Sequence, residues 1–148
     1  MTQSLPPKSL VFYADDDVDD IDLVKEAFRE YQNVELLTFR DGKALLDHIG
    51  NPLHHNLSAC LIILDINMPR LNGKETLRKL RNLKDYNETP IVLFSTSTLP
   101  GEASFAKTWN ASFITKPLHA DQINKLADIL IDHCTDEVKK RIRQGKNG

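Results

Sequence analysis

Cysteine is scarce in this chain and long apolar runs are missing. Only Cys60 and Cys134 occur among 148 residues. One lies inside an apolar stretch and the other near the end of a predicted helix, so no disulfide framework is expected and a reducing compartment is the simpler setting. The longest apolar run, Ala59 to Leu64, is six residues, against roughly 20 for a membrane-spanning helix. Neither sign of charge dominates: 19 Lys and Arg face 21 Asp and Glu, a net charge of -2. A global pull toward nucleic acid or an anionic membrane is therefore not expected. The one basic run, Lys139 to Lys146, is read as cations complementing a helix C-terminus. Met1 to Ser9 holds Pro6-Pro7 and no apolar core, so it does not read as a signal peptide. These absences leave a cytoplasmic protein. With 41% hydrophobic and 27% charged residues, one globular domain with a real core is expected.

What is present is an alternation of two periodicities. Leu10 to Ala14 reads as a buried strand, and Ile21, Val24, Phe28 and Tyr31 then recur at helical spacing up to Asn33. Val34 to Phe39 is a second strand; Asp41 caps a short helix carrying Leu45, Leu46 and Ile49, which Gly50-Asn51-Pro52 stops. Ala59 to Leu64 is the third strand, followed by the turn Leu71-Asn72-Gly73 and a helix with Leu77, Leu80 and Leu83. Pro90 opens a fourth strand, Ile91 to Ser95; a helix is expected from Gly101 to Trp109, a short strand from Phe113 to Thr115, and a last helix from Asp121 to His133. Five strands alternating with five helices imply a parallel sheet with right-handed crossovers and helices on both faces. All strand C-termini then share one edge. Residues 1–8 are read as an N-terminal extension and 135–148 as a helical or disordered tail. No second periodic region follows.

The strand ends carry the chemistry. Asp15-Asp16 follows strand one, Asp65 strand three, Ser95 ends strand four, and Lys116-Pro117 follows strand five. Carboxylates crowded together raise one another's pKa unless a cation sits among them, and a hard, all-oxygen site suits Mg²⁺. Asp16 and Asp65 are the natural direct ligands, with Asp15 acting through water. Three aspartates, one Mg²⁺ and Lys116 come close to electrical neutrality, which lets a phosphoryl group approach. Carboxylate nucleophiles form aspartyl phosphates, phosphoryl transfer relies on positioning and charge neutralisation, and the Ser95 hydroxyl can donate to a phosphoryl oxygen.

Blander readings compete. The aspartates from Asp15 to Asp22 resemble a solvated charge run, but two of them directly end an apolar strand. Asp15, Asp17, Asp19 and Glu26 sit at positions one, three, five and twelve of a calcium loop, yet Asp20 stands where glycine is needed and a strand precedes. His48, His54, His55, His119 and His133 show no ligand spacing. An aspartate-nucleophile phosphohydrolase normally has a second carboxylate two residues after the nucleophile, where this chain has Asn67. A constitutive interaction module keeps the same fold without being modified.

Four segments, Tyr13-Ala14-Asp15-Asp16, Leu64-Asp65-Ile66-Asn67-Met68-Pro69 with Gly73 beyond it, Ser95-Thr96, and Phe113-Ile114-Thr115-Lys116-Pro117, together resemble the response-regulator receiver domains of two-component signalling, CheY-like and stand-alone, over residues 9–134. The resemblance implies a flavodoxin-like (βα)5 doubly wound sandwich, α/β, with a five-stranded parallel sheet of order 2-1-3-4-5. It implies that Asp65 accepts a phosphoryl group from a sensor histidine kinase or a histidine phosphotransfer protein. Mg²⁺ would be held by Asp15, Asp16, Asp65 and the backbone carbonyl of Asn67, with Lys116 pairing with the phosphoryl group and the Lys116–Pro117 peptide bond cis. Ser95 and Phe113 would form the switch, and the face of the fourth helix, fifth strand and fifth helix would meet a downstream protein or a second copy of the chain. Self-phosphorylation from small phosphodonors and autodephosphorylation are expected in place of conventional enzyme turnover. The chain departs from the family pattern at Trp109-Asn110-Ala111-Ser112, at Thr96, and at Phe113, which lacks the common tyrosine hydroxyl.

Overall fold

The computed structural model describes residues 8–54, 57–97, 99–117 and 120–147, with the side chains of 120 and 121 excepted. Strands β1 (Ser9–Ala14), β2 (Val34–Phe39), β3 (Leu61–Leu64), β4 (Ile91–Ser95) and β5 (Ser112–Thr115) form one sheet of order β2-β1-β3-β4-β5. Every adjacent pair is parallel. The connecting helices are α1 (Val18–Phe28), α2 (Gly42–Gly50), α3 (Gly73–Arg81) and α4 (Pro100–Thr108), followed by α5 (Ala120–Ile123), α6 (Leu126–Ile131) and α7 (Asp136–Gln144). This is the doubly wound, flavodoxin-like arrangement.

Alternation along each strand divides the core in two. Val11 and Tyr13 of β1 point into one cluster with Leu61, Ile63, Val92 and Phe94, covered by Ile21, Val24 and Phe28 of α1 and by Leu126, Leu130 and Ile131 of α6. Phe12 and Ala14 point the other way and join Ile62, Leu64 and Leu93 under Leu45 of α2, Leu77 and Leu80 of α3 and Ala106 of α4. The central strands are buried on both faces, and so they read as continuous apolar runs.

Two stretches differ from the sequence reading. The helix expected from Asp121 to His133 is two pieces, because the chain turns at Asn124 and Lys125, where the Lys125 N–H bonds to the Gln122 carbonyl at 3.3 Å. The tail, read as helical or disordered, is helical over Asp136–Gln144 and packs on the core beyond the expected boundary at 134. Thr135 caps α7 through its side-chain oxygen, Ile142 is wholly buried in the α1 and α6 cluster, and Val138 packs against it. Arg143 adds ion pairs to Asp128 and Asp132, and Lys146 forms an antiparallel bridge with Tyr31. The folded unit therefore runs past residue 134.

The unusual segment before β5 has a physical account. Asn110 adopts a left-handed φ of 53° just past the end of α4, a conformation asparagine tolerates at a helix C-terminus. Arg81 closes that end by donating to the carbonyls of Trp109 and Asn110, and also to those of Tyr86 and Thr89. Four backbone acceptors thus share one guanidinium. No helix among the described residues is long and apolar enough to cross a membrane.

Candidate functional site

The sheet register assembles the site. Ala14 lies opposite Leu64 and Phe39, so Asp15 and Asp65 emerge side by side; the Asp65 N–H bonds to the Ala14 carbonyl and the Asp15 N–H to that of Phe39, each at 2.9 Å. On the other side Ser95 pairs with Thr115, and the Lys116 N–H extends that ladder to the Ser95 carbonyl at 2.8 Å. Asp15, Asp65 and Lys116 thus each occupy the first position past a strand, Asp16 the second, and Ser95 the last position within β4.

Asp15 is fully buried, and its oxygens accept from the Tyr13 hydroxyl at 2.5 Å, the Asp17 N–H at 2.9 Å and Lys116 Nζ at 2.8 Å. Lys116 also reaches Asp20 at 2.7 Å and Asp65 Oδ1 at 3.4 Å. Oxygens of Asp15, Asp16 and Asp65 lie within 4.8 Å of one another. Asp16 is exposed and Asp65 is buried. The site is therefore an acidic cup, buried at its floor and open at its rim.

Burial, and then the charge of Asp15, push the Asp65 carboxyl up to about 7, against the pull of Lys116. Burial alone would lower the Lys116 ammonium, but its hydrogen bonds to Asp15 and Asp20 outweigh this and hold it above its ordinary value. Tyr13 is raised by burial and by its bond to the Asp15 carboxylate, so it remains a donor. One ammonium serving several clustered carboxylates leaves the cup short of positive charge. An all-oxygen donor set of this spacing fits a hard divalent cation such as Mg²⁺.

The loop beyond β3 is fixed by close backbone contact. The Gly73 N–H bonds to the Ile66 carbonyl at 2.9 Å, and a Cβ on Gly73 would fall 2.1 Å from the backbone oxygen of Asp65. Glycine is required there because the start of α3 presses on the site's own backbone. Arg70, at a left-handed φ of 63°, donates to Asp41 at 2.7 Å, and Asn67 lies exposed two residues after Asp65.

Ser95 is buried, its hydroxyl accepting from the Ser97 N–H at 3.1 Å. Phe113 is half-buried beside the α4 side of the core, opposite Leu93 in the ladder. One expectation is corrected: none of the peptide bonds among the described residues is cis, so Lys116–Pro117 is trans here. Trans is favoured before proline by about 0.5–1 kcal/mol. His48 and His54 stack at 3.9 Å, while His55 and His119 lie outside the described residues. Sequence reasoning missed Asp20 and Tyr13 as neighbours of the site. Asp20 looked like part of a charge run, although an acidic residue in the first turn of a helix that starts four residues after a strand end was an available signal.

Comparison with known proteins agrees with this geometry. Residues 11–128, well over half of the chain, match the response regulator receiver domain family. The response regulator Rcp1 of Synechocystis is 31% identical over 98 residues, covering 64% of this chain and 66% of Rcp1. The chemotaxis protein CheV1 of Helicobacter pylori is 32% identical over 84 residues, 56% of this chain but only 26% of that longer protein. Among solved structures, the phosphorylated cyanobacterial phytochrome response regulator RcpA superposes with a TM-score of 0.75 at 25% identity, over 86% of this chain and 97% of its own. The chain belongs to the response regulator receiver domain family, the phosphoryl-receiving modules of two-component signalling. This is a signalling family and not a group of conventional enzymes.

Proposed function

We propose that Asp65 is the phosphoacceptor of a cytoplasmic phosphorelay module, receiving its phosphoryl group from a sensor histidine kinase or a histidine phosphotransfer protein. The observation that carries this reading is the convergence of Asp15, Asp16 and Asp65 within 4.8 Å, with Lys116 Nζ 3.4 Å from Asp65. In the transfer an Asp65 carboxylate oxygen bonds to phosphorus as the phosphorus–nitrogen bond of the donor histidine breaks. Lys116 offsets the charge carried by the acceptor and the incoming group. Tyr13 and the Asp17 N–H keep Asp15 oriented. Asp15, Asp16, Asp65 and the backbone carbonyl of Asn67 are the proposed holders of Mg²⁺, which would supply further charge neutralisation when bound.

The proposed output is a change of protein-binding surface. Ser95, two strands from Asp15 and one from Asp65 in the sheet order, would leave its Ser97 contact to donate to a phosphoryl oxygen. Phe113, at the adjacent edge strand, would then repack inward. The surface of α4, β5, α5 and α6 would meet a downstream protein or a second copy of the chain. Water attack on the aspartyl phosphate would reset the module.

Incubation with Mg²⁺ and acetyl phosphate, followed by intact mass measurement, is expected to add one phosphoryl group to the native chain and none to Asp65→Asn. An unmodified native chain, or equal modification of Asp65→Asn, would overturn the assignment.

A further inference from the structure

The ammonium of Lys116 is fully engaged before any phosphoryl group arrives. It has three N–H donors, and three carboxylates surround it: Asp20 Oδ2 at 2.7 Å, Asp15 Oδ2 at 2.8 Å and Asp65 Oδ1 at 3.4 Å. The acceptor carboxylate is the most distant of the three. A phosphoryl oxygen that pairs with Lys116 must therefore take the place of one of them.

Burial decides which one yields. Asp15 is wholly buried, so withdrawing the ammonium would leave a buried charge without its counter-ion. Asp65 is the group being modified and stays beside Lys116 as the phosphoryl group arrives. Asp20 differs from both: its side chain is 26% exposed, so water can solvate its carboxylate once the ammonium departs. The first turn of α1 aims Asp20 at the cup. Asp15 Oδ1 accepts from the Asp17 N–H at 2.9 Å, and the Asp17 carboxylate, which caps α1, accepts from the N–H groups of Asp19 and Asp20 at 2.9 and 3.2 Å. Lys116 bonds to both Asp20 and Asp15, which closes a ring of contacts from Asp15 through Asp17 and Asp20 to Lys116 and back. The ring holds the ammonium nearer to α1 than to the acceptor carboxylate.

Building on the assignment of Asp65 as phosphoacceptor, we propose that Asp20 is a positioning residue, a counter-ion that holds Lys116 in the unmodified protein and gives it up to the phosphoryl group. An Asp65 oxygen bonds to phosphorus, the bond from phosphorus to the donor's leaving group breaks, and the electron pair departs on that group. Lys116 then exchanges Asp20 for a phosphoryl oxygen, and Asp20 turns to water. Attack of water on phosphorus later returns the Asp65 carboxylate and inorganic phosphate, and Asp20 recaptures the ammonium. Asp20 thus competes with the phosphoryl group for one cation, which slows acceptance and favours the unmodified state.

The test compares the whole native chain with Asp20→Asn, Asp20→Glu and Asp22→Asn in the presence of Mg²⁺. Labelling by acetyl phosphate is timed by intact mass, and the affinity for beryllofluoride, a mimic of the phosphoryl group, is read by fluorine NMR. Asn is isosteric with Asp and keeps the N–H that bonds to Asp17, so the first turn of α1 is preserved. Asp20→Asn should be labelled about fivefold faster and bind beryllofluoride about fivefold more tightly, the worth of no longer breaking one water-screened ion pair. Asp20→Glu keeps the charge and should behave as the native chain. Asp22→Asn removes a charge from an exposed position of the same helix and should also behave as the native chain. An Asp20→Asn rate at or below the native one, faster labelling without tighter beryllofluoride binding, or an equal gain from Asp20→Glu or Asp22→Asn would overturn the proposal and leave the phosphoacceptor assignment standing. A native chain that takes up no phosphoryl group would overturn both.

Discussion

Replacing Lys116 with methionine removes a positive charge while keeping much of the stem, and so measures how tightly the acidic cup depends on that charge. Lys116 is 7% exposed and touches Asp15, which is wholly buried, as well as Asp20 and Asp65. Removing one member of a buried ion pair costs about 3–5 kcal/mol. Asp20, 26% exposed, is screened by water, which puts the expected loss near the lower figure, about 3 kcal/mol. For a domain of this size that corresponds to a fall in Tm of about 6–12 °C.

Thermal unfolding of native chain and Lys116→Met by circular dichroism, in EDTA at pH 8, reads the difference. The pH dependence has a definite sign. The Asp65 carboxyl is held at about 7 in the folded protein, above the roughly 3.9 of an unfolded aspartate. Its favourable contribution is therefore complete below about pH 4 and is lost as pH rises through about 7. Without Lys116 that carboxyl moves higher still, so the deficit of Lys116→Met should widen with rising pH. Mg²⁺ should restore stability, by more in the variant, where no ammonium competes for the carboxylates. A Tm within about 1 °C of the native chain in EDTA at pH 8, or no recovery with Mg²⁺, would refute the charge balance described above.

Three further outcomes follow from particular contacts. Ile142→Ala should cost about 2–5 kcal/mol by opening a cavity under α7, lowering the denaturant midpoint; an unchanged midpoint would show α7 undocked. Gly73→Ala should cost about 1–3 kcal/mol, because its Cβ meets the Asp65 carbonyl, and should slow acetyl phosphate labelling by displacing residue 65; labelling at the native rate would show that the loop yields freely. Ser95→Ala should still be labelled, but phosphorylation should raise partner affinity about ten- to a hundredfold less, the worth of one charge-assisted hydrogen bond. Equal affinity of the two phosphorylated proteins, titrated calorimetrically, would remove Ser95 from the switch.

The strands and the residues at their ends were legible because parallel strands buried on both faces carry unbroken apolar runs, and the polar residue that ends each run stands out. Asp65 after Leu61–Leu64 is visible on that ground alone, whereas Lys116 follows the short, partly exposed edge strand Ser112–Thr115 and stands out only beside the other strand ends. Asp20 was not legible, since its bond to Lys116 spans 96 residues and needs β5 and α1 to arrive at the same edge. Nor was α7: Val138 and Ile142 are only two apolar residues one turn apart, too few to specify burial without the α1 and α6 surface that receives them. The sequence also placed a cis bond at Pro117 where the structure has trans.

By itself, then, the order of residues determined the alternating α/β pattern, the two-faced burial of the central strands and the identity of the strand-end side chains, because these follow from local periodicity and from where apolar runs stop. The tertiary structure alone decided which of those side chains converge in one acidic cluster, which carboxylates Lys116 reaches and whether the C-terminal helix belongs to the core. Those are facts of distance between remote segments, and distance is fixed by strand order and crossover packing, which no local window of sequence contains.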